Sequence, residues 1–113
     1  MKALLCELLR QFYWKGWCVG TSGSLSLLDR RLHRCYVAPS ASHKERLTPD
    51  DIFELDARDF SVATPPVDST LQLTQSMPFF QLLYERRPAV AAVLHSHSLN
   101  AVLAAQSPPP PRR

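Results

Sequence analysis

The sequence predicts a layered α/β domain with a partly antiparallel sheet. Apolar residues recur at three- and four-residue spacing from Leu4 to Phe12, which is typical of a helix with one buried face. Two short apolar stretches flank residues 29–31, a pattern that predicts a β-hairpin. Helical and strand patterns alternate over the rest of the 113 residues, so we expect helices and sheet to share one core.

Three helices and one helical turn are expected from periodicity and end signals. The first helix ends at Gly16, the second begins after Ser76 as its N-cap, and the last covers residues 98–106. Thr48 is a favourable N-cap residue, and Pro49 suits the first position of a short helical turn. The apolar face of the second helix is predicted to comprise Phe79, Phe80, Leu83 and Tyr84.

Strands are predicted where short apolar stretches are bounded by turn-forming residues. They comprise residues 25–28, 32–39, 52–57 and 89–97. The last is almost continuously apolar, as in a central strand covered on both faces. Residues 61–74 contain two prolines and many small polar residues, so we expect an exposed connection there.

Composition excludes several classes of protein. The formal net charge is +3, but the basic residues are scattered, which argues against nucleic-acid binding. No apolar stretch is long enough to span a membrane. Three cysteines without metal-type spacing favour free, buried thiols in a reducing cytoplasm. Four consecutive prolines predict a disordered tail over residues 107–113, which leaves residues 1–106 as the folded portion.

Two histidines, His95 and His97, lie at the end of the last predicted strand, with one residue between them. Side chains at positions i and i+2 of a strand point to the same face, so both imidazoles can reach one metal ion. A zinc site needs at least three protein ligands, however. From the spacing alone, the more frequent case is two histidines at a buried edge, each satisfied by a backbone hydrogen bond.

Two further segments are candidates for binding an anion. The small residues of Gly20–Ser26 allow close backbone approach, and their hydroxyls add hydrogen-bond donors. No lysine stands at the offset of a phosphate-binding P-loop, so a simple turn is the alternative. In the segment APSASHKER, Ser40, Ser42 and Lys44 could donate to a phosphate, although such a loop is usually solvated.

Four motifs in this order resemble the class II aldolase family. They are GW-x-x-GTSGSLS, YVAPS-x-x-x-KERLTPDDIF, QS-x-P-x-F and VLHSHS. The resemblance extends from about Leu4 to Ala105. Its most specific parts are the histidine motif after an apolar strand and the APS…KERLTPDD segment.

The resemblance is greatest to the family's dehydratases of methionine salvage. It implies a three-layer α/β/α domain that assembles as a homotetramer with active sites between subunits. It also implies a zinc ion held by three histidines, of which the first two match His95 and His97. The implied reaction is loss of water from 5-methylthioribulose 1-phosphate, a phosphorylated sugar-like molecule, giving a diketo-methylthiopentyl phosphate. Zinc would polarise the substrate's oxygens, and a glutamate would move the proton.

Several positions depart from the family pattern. Ser76 stands where the aldolases carry a catalytic glutamate, which argues against aldol cleavage. The dehydratases have a small polar residue there that contacts substrate, a role open to Ser76. Ala41 replaces a frequent glycine, and Thr74 and Gln75 replace a phosphate-binding serine pair. We expect substrate contacts from Ser76, Ser24 and Ser40.

Family members are about twice as long as this chain. The resemblance places the third zinc histidine and the catalytic glutamate beyond Gln106, so no residue here receives a catalytic role. We therefore expect an inactive N-terminal portion of the domain, with its C-terminal half missing and weak zinc binding. The alternatives are a non-catalytic, adducin-like or interfering interaction domain, and an aldolase or epimerase of another sugar phosphate.

Overall fold

The computed structural model describes residues 1–112 as a five-stranded sheet with a helix packed on each face. The elements are α1 (Lys2–Trp14), β1 (Ser24–Asp29), β2 (Arg34–Val37), β3 (Phe53–Asp56), β4 (Val62–Thr64), α2 (Met77–Arg86), β5 (Ala92–His95) and α3 (Leu99–Gln106). The strand order is β4-β3-β2-β1-β5, and every described pairing is antiparallel. The antiparallel character predicted for part of the sheet thus extends across all of it.

Side chains along β1 point alternately to the two faces of the sheet, and so they pack against a helix layer on each side. Leu25 and Leu27 pack in one apolar cluster with Leu5 and Leu9 of α1. The next residue, Leu28, points to the opposite face and packs in a second cluster with residues of α2. Because successive strand residues point to opposite faces, one strand contributes to both clusters. The predicted three-layer α/β class is confirmed.

The predicted hairpin forms between β1 and β2. A carboxylate oxygen of Asp29 accepts hydrogen bonds from the backbone N–H groups of Arg31 and Leu32, at 3.0 and 3.2 Å. This is the usual way in which an aspartate stabilises a tight turn. The second strand is shorter than predicted, because Leu32 and His33 belong to the turn. The backbone of His33 has a φ of +51°, which a strand does not allow.

The region around Thr48 follows the prediction. Residues Pro49–Asp51 form a single 3-10 turn. A carboxylate oxygen of Asp51 accepts hydrogen bonds from both the backbone N–H and the hydroxyl of Thr48, at 2.9 and 3.1 Å. A second 3-10 turn, Lys44–Arg46, lies just before it in a segment predicted to be a loop.

Two predictions about strands are wrong. Residues 61–74 are not simply a connection, because β4 within them pairs with β3. All three residues of β4 are exposed, so the stretch lacks the apolar alternation that marks a strand. In addition, β5 lies at the edge of the described sheet rather than in its centre, and its residues are exposed or half-buried.

The apolar face of α2 also differs from the prediction. Its buried residues are Met77, Phe80 and Tyr84, whereas Phe79 is 70% exposed and Leu83 is 41% exposed. Residues at spacings of three and four share one stripe of a helix, and adjacent residues do not. Phe79 and Leu83 therefore form a separate stripe beside the buried one.

Other sequence predictions concern the helices, the cysteines and the tail. No helix within residues 1–112 is long and apolar enough to cross a membrane. All three cysteines are buried and free, as predicted. Helix α3 ends at Gln106, and residues 107–112 form no helix or strand. The last residue of the predicted tail, Arg113, lies outside the described residues.

Candidate active site

The two histidines meet at the end of β5, whose last residue is His95. The Nε2 atoms of His95 and His97 are 3.1 Å apart, and the two ring centroids are 4.7 Å apart. The backbone N–H of His97 donates to the carbonyl of Trp17 at 2.7 Å, which anchors the chain after the strand. The structure therefore brings together the two imidazoles that the sequence placed on one face.

Ser76 contacts this pair. It occupies the N-cap position of α2, as predicted, but its side chain makes no capping hydrogen bond. Its backbone already has helical angles, φ −74° and ψ −10°, whereas a capping residue is normally extended. The hydroxyl instead lies 3.0 Å from Nδ1 of His95. A partner at Nδ1 orients the ring and leaves Nε2 directed towards His97.

The surroundings favour the neutral form of His95. Partial burial of its ring is the main cause that lowers the pKa of His95, and the neighbouring His97 ring lowers it further. Two imidazolium rings at this separation would repel each other. Neutral imidazole is the form that binds metal ions.

The glycine-bearing segment before β1 packs directly against the histidine strand. A Cβ atom on Gly23 would lie 2.8 Å from the carbonyl oxygen of His95 and 2.8 Å from Sγ of Cys18. Its φ of +77° is also one that glycine adopts far more readily than other residues. Glycine at this position allows the loop and the end of β5 to approach each other.

Ser24 pairs with His95 across the β1–β5 ladder. The residue is 1% exposed, and its hydroxyl oxygen finds no hydrogen-bond partner among residues 1–112. Buried hydroxyls are nearly always hydrogen-bonded in folded proteins. The described residues therefore leave the hydroxyl opposite His95 both buried and without a hydrogen-bond partner.

Ser40 lies in the other candidate segment. It is half-buried, and its backbone N–H donates to the carbonyl of Gln72 at 2.8 Å. The prediction that this loop is solvated is wrong at Lys44, which is only 1% exposed. Nζ of Lys44 donates to the carbonyls of Ser42, at 2.8 Å, and of Thr21, at 3.2 Å. The two predicted anion-binding segments are thus in contact through this lysine.

A cavity of about 570 Å³ opens beside Ser76 and His95. Phe79, Leu83 and Leu94 supply much of its apolar lining. The sequence indicated no role for Phe79 and Leu83 outside the core, because an exposed apolar stripe and a buried one look alike in periodicity.

The described residues supply only part of a metal site. Within residues 1–112, no group of three or more histidine, cysteine, aspartate or glutamate side chains is placed to hold a metal ion. His95 and His97 can supply two nitrogen ligands. His33 lies in the hairpin turn, and His43 precedes the Lys44–Arg46 turn, so neither adds to the pair.

A family model described as the class II aldolase and adducin N-terminal domain matches residues 3–112. Among curated proteins, the chain is 44% identical over 103 residues to a methylthioribulose-1-phosphate dehydratase from Salmo salar. That match covers 91% of this chain and 40% of the relative. The dehydratase of the same name from Mus musculus is 41% identical over 101 residues, which is 89% of this chain and 41% of the relative.

These matches also show how much of each relative's length the chain covers. The chain spans about two fifths of the length of the curated relatives that it matches. The match to a dehydratase from Saccharomyces cerevisiae (strain YJM789) has the same extent, with 36% identity over 88% of this chain and 40% of the relative.

Solved structures show the same fold. An L-fuculose 1-phosphate aldolase superposes with a TM-score of 0.80 at 21% identity, covering 92% of this chain and 47% of the aldolase. An aldolase II superfamily protein from Pseudomonas syringae superposes with a TM-score of 0.79 at 15% identity, covering 94% of this chain and 42% of that protein. At these identities the likeness concerns the fold alone.

Proposed function

The chain belongs to the class II aldolase and adducin family, and from this premise we propose that it carries part of a zinc-dependent dehydratase site for 5-methylthioribulose 1-phosphate. His95 and His97 are the proposed metal ligands, and Ser76, Ser24 and Ser40 are the proposed substrate contacts. The observation that carries the proposal is the meeting of the two Nε2 atoms beside Ser76. The names of the curated relatives support the choice of substrate.

The histidine pair fits a zinc ion as two of its ligands. Two nitrogens bound tetrahedrally to zinc at about 2.0–2.1 Å lie about 3.3 Å apart. The Nε2 separation of 3.1 Å is close to that value. The chemistry that the ion supplies when bound is Lewis-acid polarisation of substrate oxygens. The proposal needs a third ligand and a proton-transferring group from the part of the relatives that this chain does not match.

The chain's own residues then have distinct tasks. Ser76 holds the ring of His95 through Nδ1 and borders the cavity, so its hydroxyl can contact both the ligand ring and a substrate. Ser24 offers a buried, unpartnered hydroxyl opposite His95. Serine at position 76 supplies no carboxylate for aldol chemistry, which favours the dehydratase over an aldolase.

The proposal also covers the oligomeric state of the protein and the cellular compartment in which it acts. We take the chain to be a part of a homo-oligomeric protein, a tetramer by the resemblance, that acts in the cytoplasm. The three free, buried cysteines are compatible with a reducing compartment.

Zinc titration by calorimetry tests the metal ligands. We expect the 113-residue chain to bind zinc weakly, since it offers two ligands. Replacing either ligand, in His95→Ala or His97→Ala, should reduce the affinity at least tenfold. His33→Ala is the matched control, because it removes a histidine from the hairpin turn. Equal zinc affinity in all four proteins would refute the assignment.

Ligand-dependent melting tests the substrate. With zinc present, we expect 5-methylthioribulose 1-phosphate to raise the melting temperature more than L-fuculose 1-phosphate does. Ser76→Ala should reduce that increase, because the hydroxyl beside the histidine pair is lost. A larger increase with fuculose phosphate would favour an aldolase instead.

A further inference from the structure

His97 is tied to the rest of the fold through one backbone contact. It lies beyond the last residue of β5, and its backbone N–H donates to the carbonyl of Trp17 at 2.7 Å. Within residues 1–112, residues 96–106 make no other backbone hydrogen bond to an earlier part of the chain. Helix α3, which comes next, has no buried residue. The placement of the His97 ring beside His95 therefore depends on how firmly Trp17 is held.

The backbone of Trp17 is part of the cap that ends α1. Its N–H donates to the carbonyl of Phe12 at 2.9 Å, and the N–H of Gly16 donates to the carbonyl of Tyr13 at 3.0 Å. Gly16 has a φ of +78°, in the left-handed region. Two such hydrogen bonds around a left-handed glycine define a Schellman motif, a common helix end. The carbonyl that receives the bond from His97 thus follows directly on a structured helix cap.

The ring of Trp17 provides a second attachment. It stacks on the ring of Phe12, with the ring centroids 5.2 Å apart and the ring planes inclined by 28°. An apolar contact between these two positions frequently accompanies a Schellman motif. Both rings are partly buried and pack against the apolar cluster that contains Leu5 and Leu9, as does Leu94 of β5. Trp17 is therefore held by its side chain as well as by its backbone.

We infer that Trp17 is a positioning residue for the proposed metal site. The end of α1 holds the Trp17 carbonyl, and this carbonyl holds His97 so that its Nε2 meets that of His95. Ser76 of the α2 N-terminus contacts the ring of His95, so each proposed ligand is restrained from a different helix. Trp17 acts through His97. The inference rests on the proposed function for the presence of a metal ion.

Hydrogen exchange at the His97 amide, followed by NMR, tests the anchoring without any metal. The Leu28 amide, which donates to the carbonyl of Ala91 at 2.8 Å, is the internal reference for overall stability. We expect Trp17→Ala to speed exchange at His97 about tenfold relative to Leu28, because the stacked ring is lost. Trp17→Phe keeps an aromatic ring and should restore most of the protection. Trp14→Ala is the matched control, because Trp14 is 77% exposed. Equal acceleration at both amides in Trp17→Ala would show a purely structural role and overturn the inference.

Zinc titration by calorimetry tests the consequence for the metal. Groups that orient a metal ligand typically contribute about 10–100-fold to metal affinity, so we expect Trp17→Ala to weaken zinc binding about tenfold. Trp17→Phe and Trp14→Ala should bind zinc as the wild type does. Unchanged affinity in Trp17→Ala, together with reduced affinity in His97→Ala, would overturn the inference and leave the proposed function standing. If His95→Ala and His97→Ala both bind zinc like the wild type, the proposed function fails, and hydrogen exchange alone decides whether Trp17 positions His97.

A pair of glycine variants covers the case in which Trp17→Ala does not fold. Gly16 and Gly20 both have a positive φ, and a Cβ atom added to either would meet nothing within 4 Å. Gly16→Ala therefore strains the helix cap, and Gly20→Ala introduces a comparable strain outside it. We expect faster exchange at His97 relative to Leu28 in Gly16→Ala only. The same change in both variants, or in neither, would contradict the inference.

Discussion

The central strands and the C-terminal end of the chain differ in how much of their surface is covered. Five of the six residues of β1 are buried, and β2 and β3 also contribute fully buried residues. In contrast, β5 has no buried residue, and neither has α3. Helices α1 and α2 cover opposite faces of the central strands. Within residues 1–112, β5 has a neighbouring strand on one side only.

The candidate site lies on the boundary between these two regions. Ser24 is in the buried strand β1, and His95 is opposite it in the exposed strand β5. The central region therefore provides a rigid support, and the histidines project from the less covered region. A site divided in this way can gain further ligands from another part of a protein without disturbing the core.

The largest expected effect contrasts a buried with an exposed leucine. Leu9 in α1 is 0% exposed, and Leu103 in α3 is 53% exposed. We expect Leu9→Ala to lower the free energy of unfolding by about 2–5 kcal/mol, because it leaves a cavity. Leu103→Ala should change it by less than about 0.5 kcal/mol. Urea denaturation followed by circular dichroism measures both. Similar losses would show that the C-terminal end is packed as tightly as the core.

A smaller loss of stability is expected where the loop before β1 contacts the end of β5. Gly20→Ala and Gly23→Ala both place a side chain at a positive φ, which costs about 1 kcal/mol each. Only Gly23→Ala brings a Cβ atom against the backbone of His95, which should add roughly 1–3 kcal/mol. The same denaturation experiment gives the two values. A difference near zero would mean that the loop can move away from β5 freely.

The smallest expected loss of stability concerns a polar contact between the sheet and α2. The hydroxyls of Ser26 and Tyr84 are hydrogen-bonded at 2.6 Å in a buried position, which joins β1 to α2. Tyr84→Phe leaves the serine hydroxyl without that partner and should cost about 1–2 kcal/mol. Tyr13→Phe is the control, because Tyr13 in α1 is only partly buried. If both variants lose the same stability, the contact does not contribute to the rigidity of the central region.

Local patterns predicted most of the elements and the histidine pair. The periodicity of α1, the hairpin at Asp29 and the turn after Thr48 each depend on hydrogen bonds between residues a few positions apart. The spacing of His95 and His97 likewise placed both rings on one side, where the structure brings them together. The membership of a family also followed from motif order in the sequence.

The sequence by itself determined these local elements and the types of residue at the site. Only the tertiary structure decided that β5 lies at an edge, that β4 pairs with β3, and that the hydroxyl of Ser76 contacts His95 instead of capping its helix. It also decided the burial of Lys44, whose contact with Thr21 joins residues 23 positions apart. A long, flexible side chain can lie in solvent or in the interior. Packing between distant parts of the chain selects between these positions, and no local pattern records that choice.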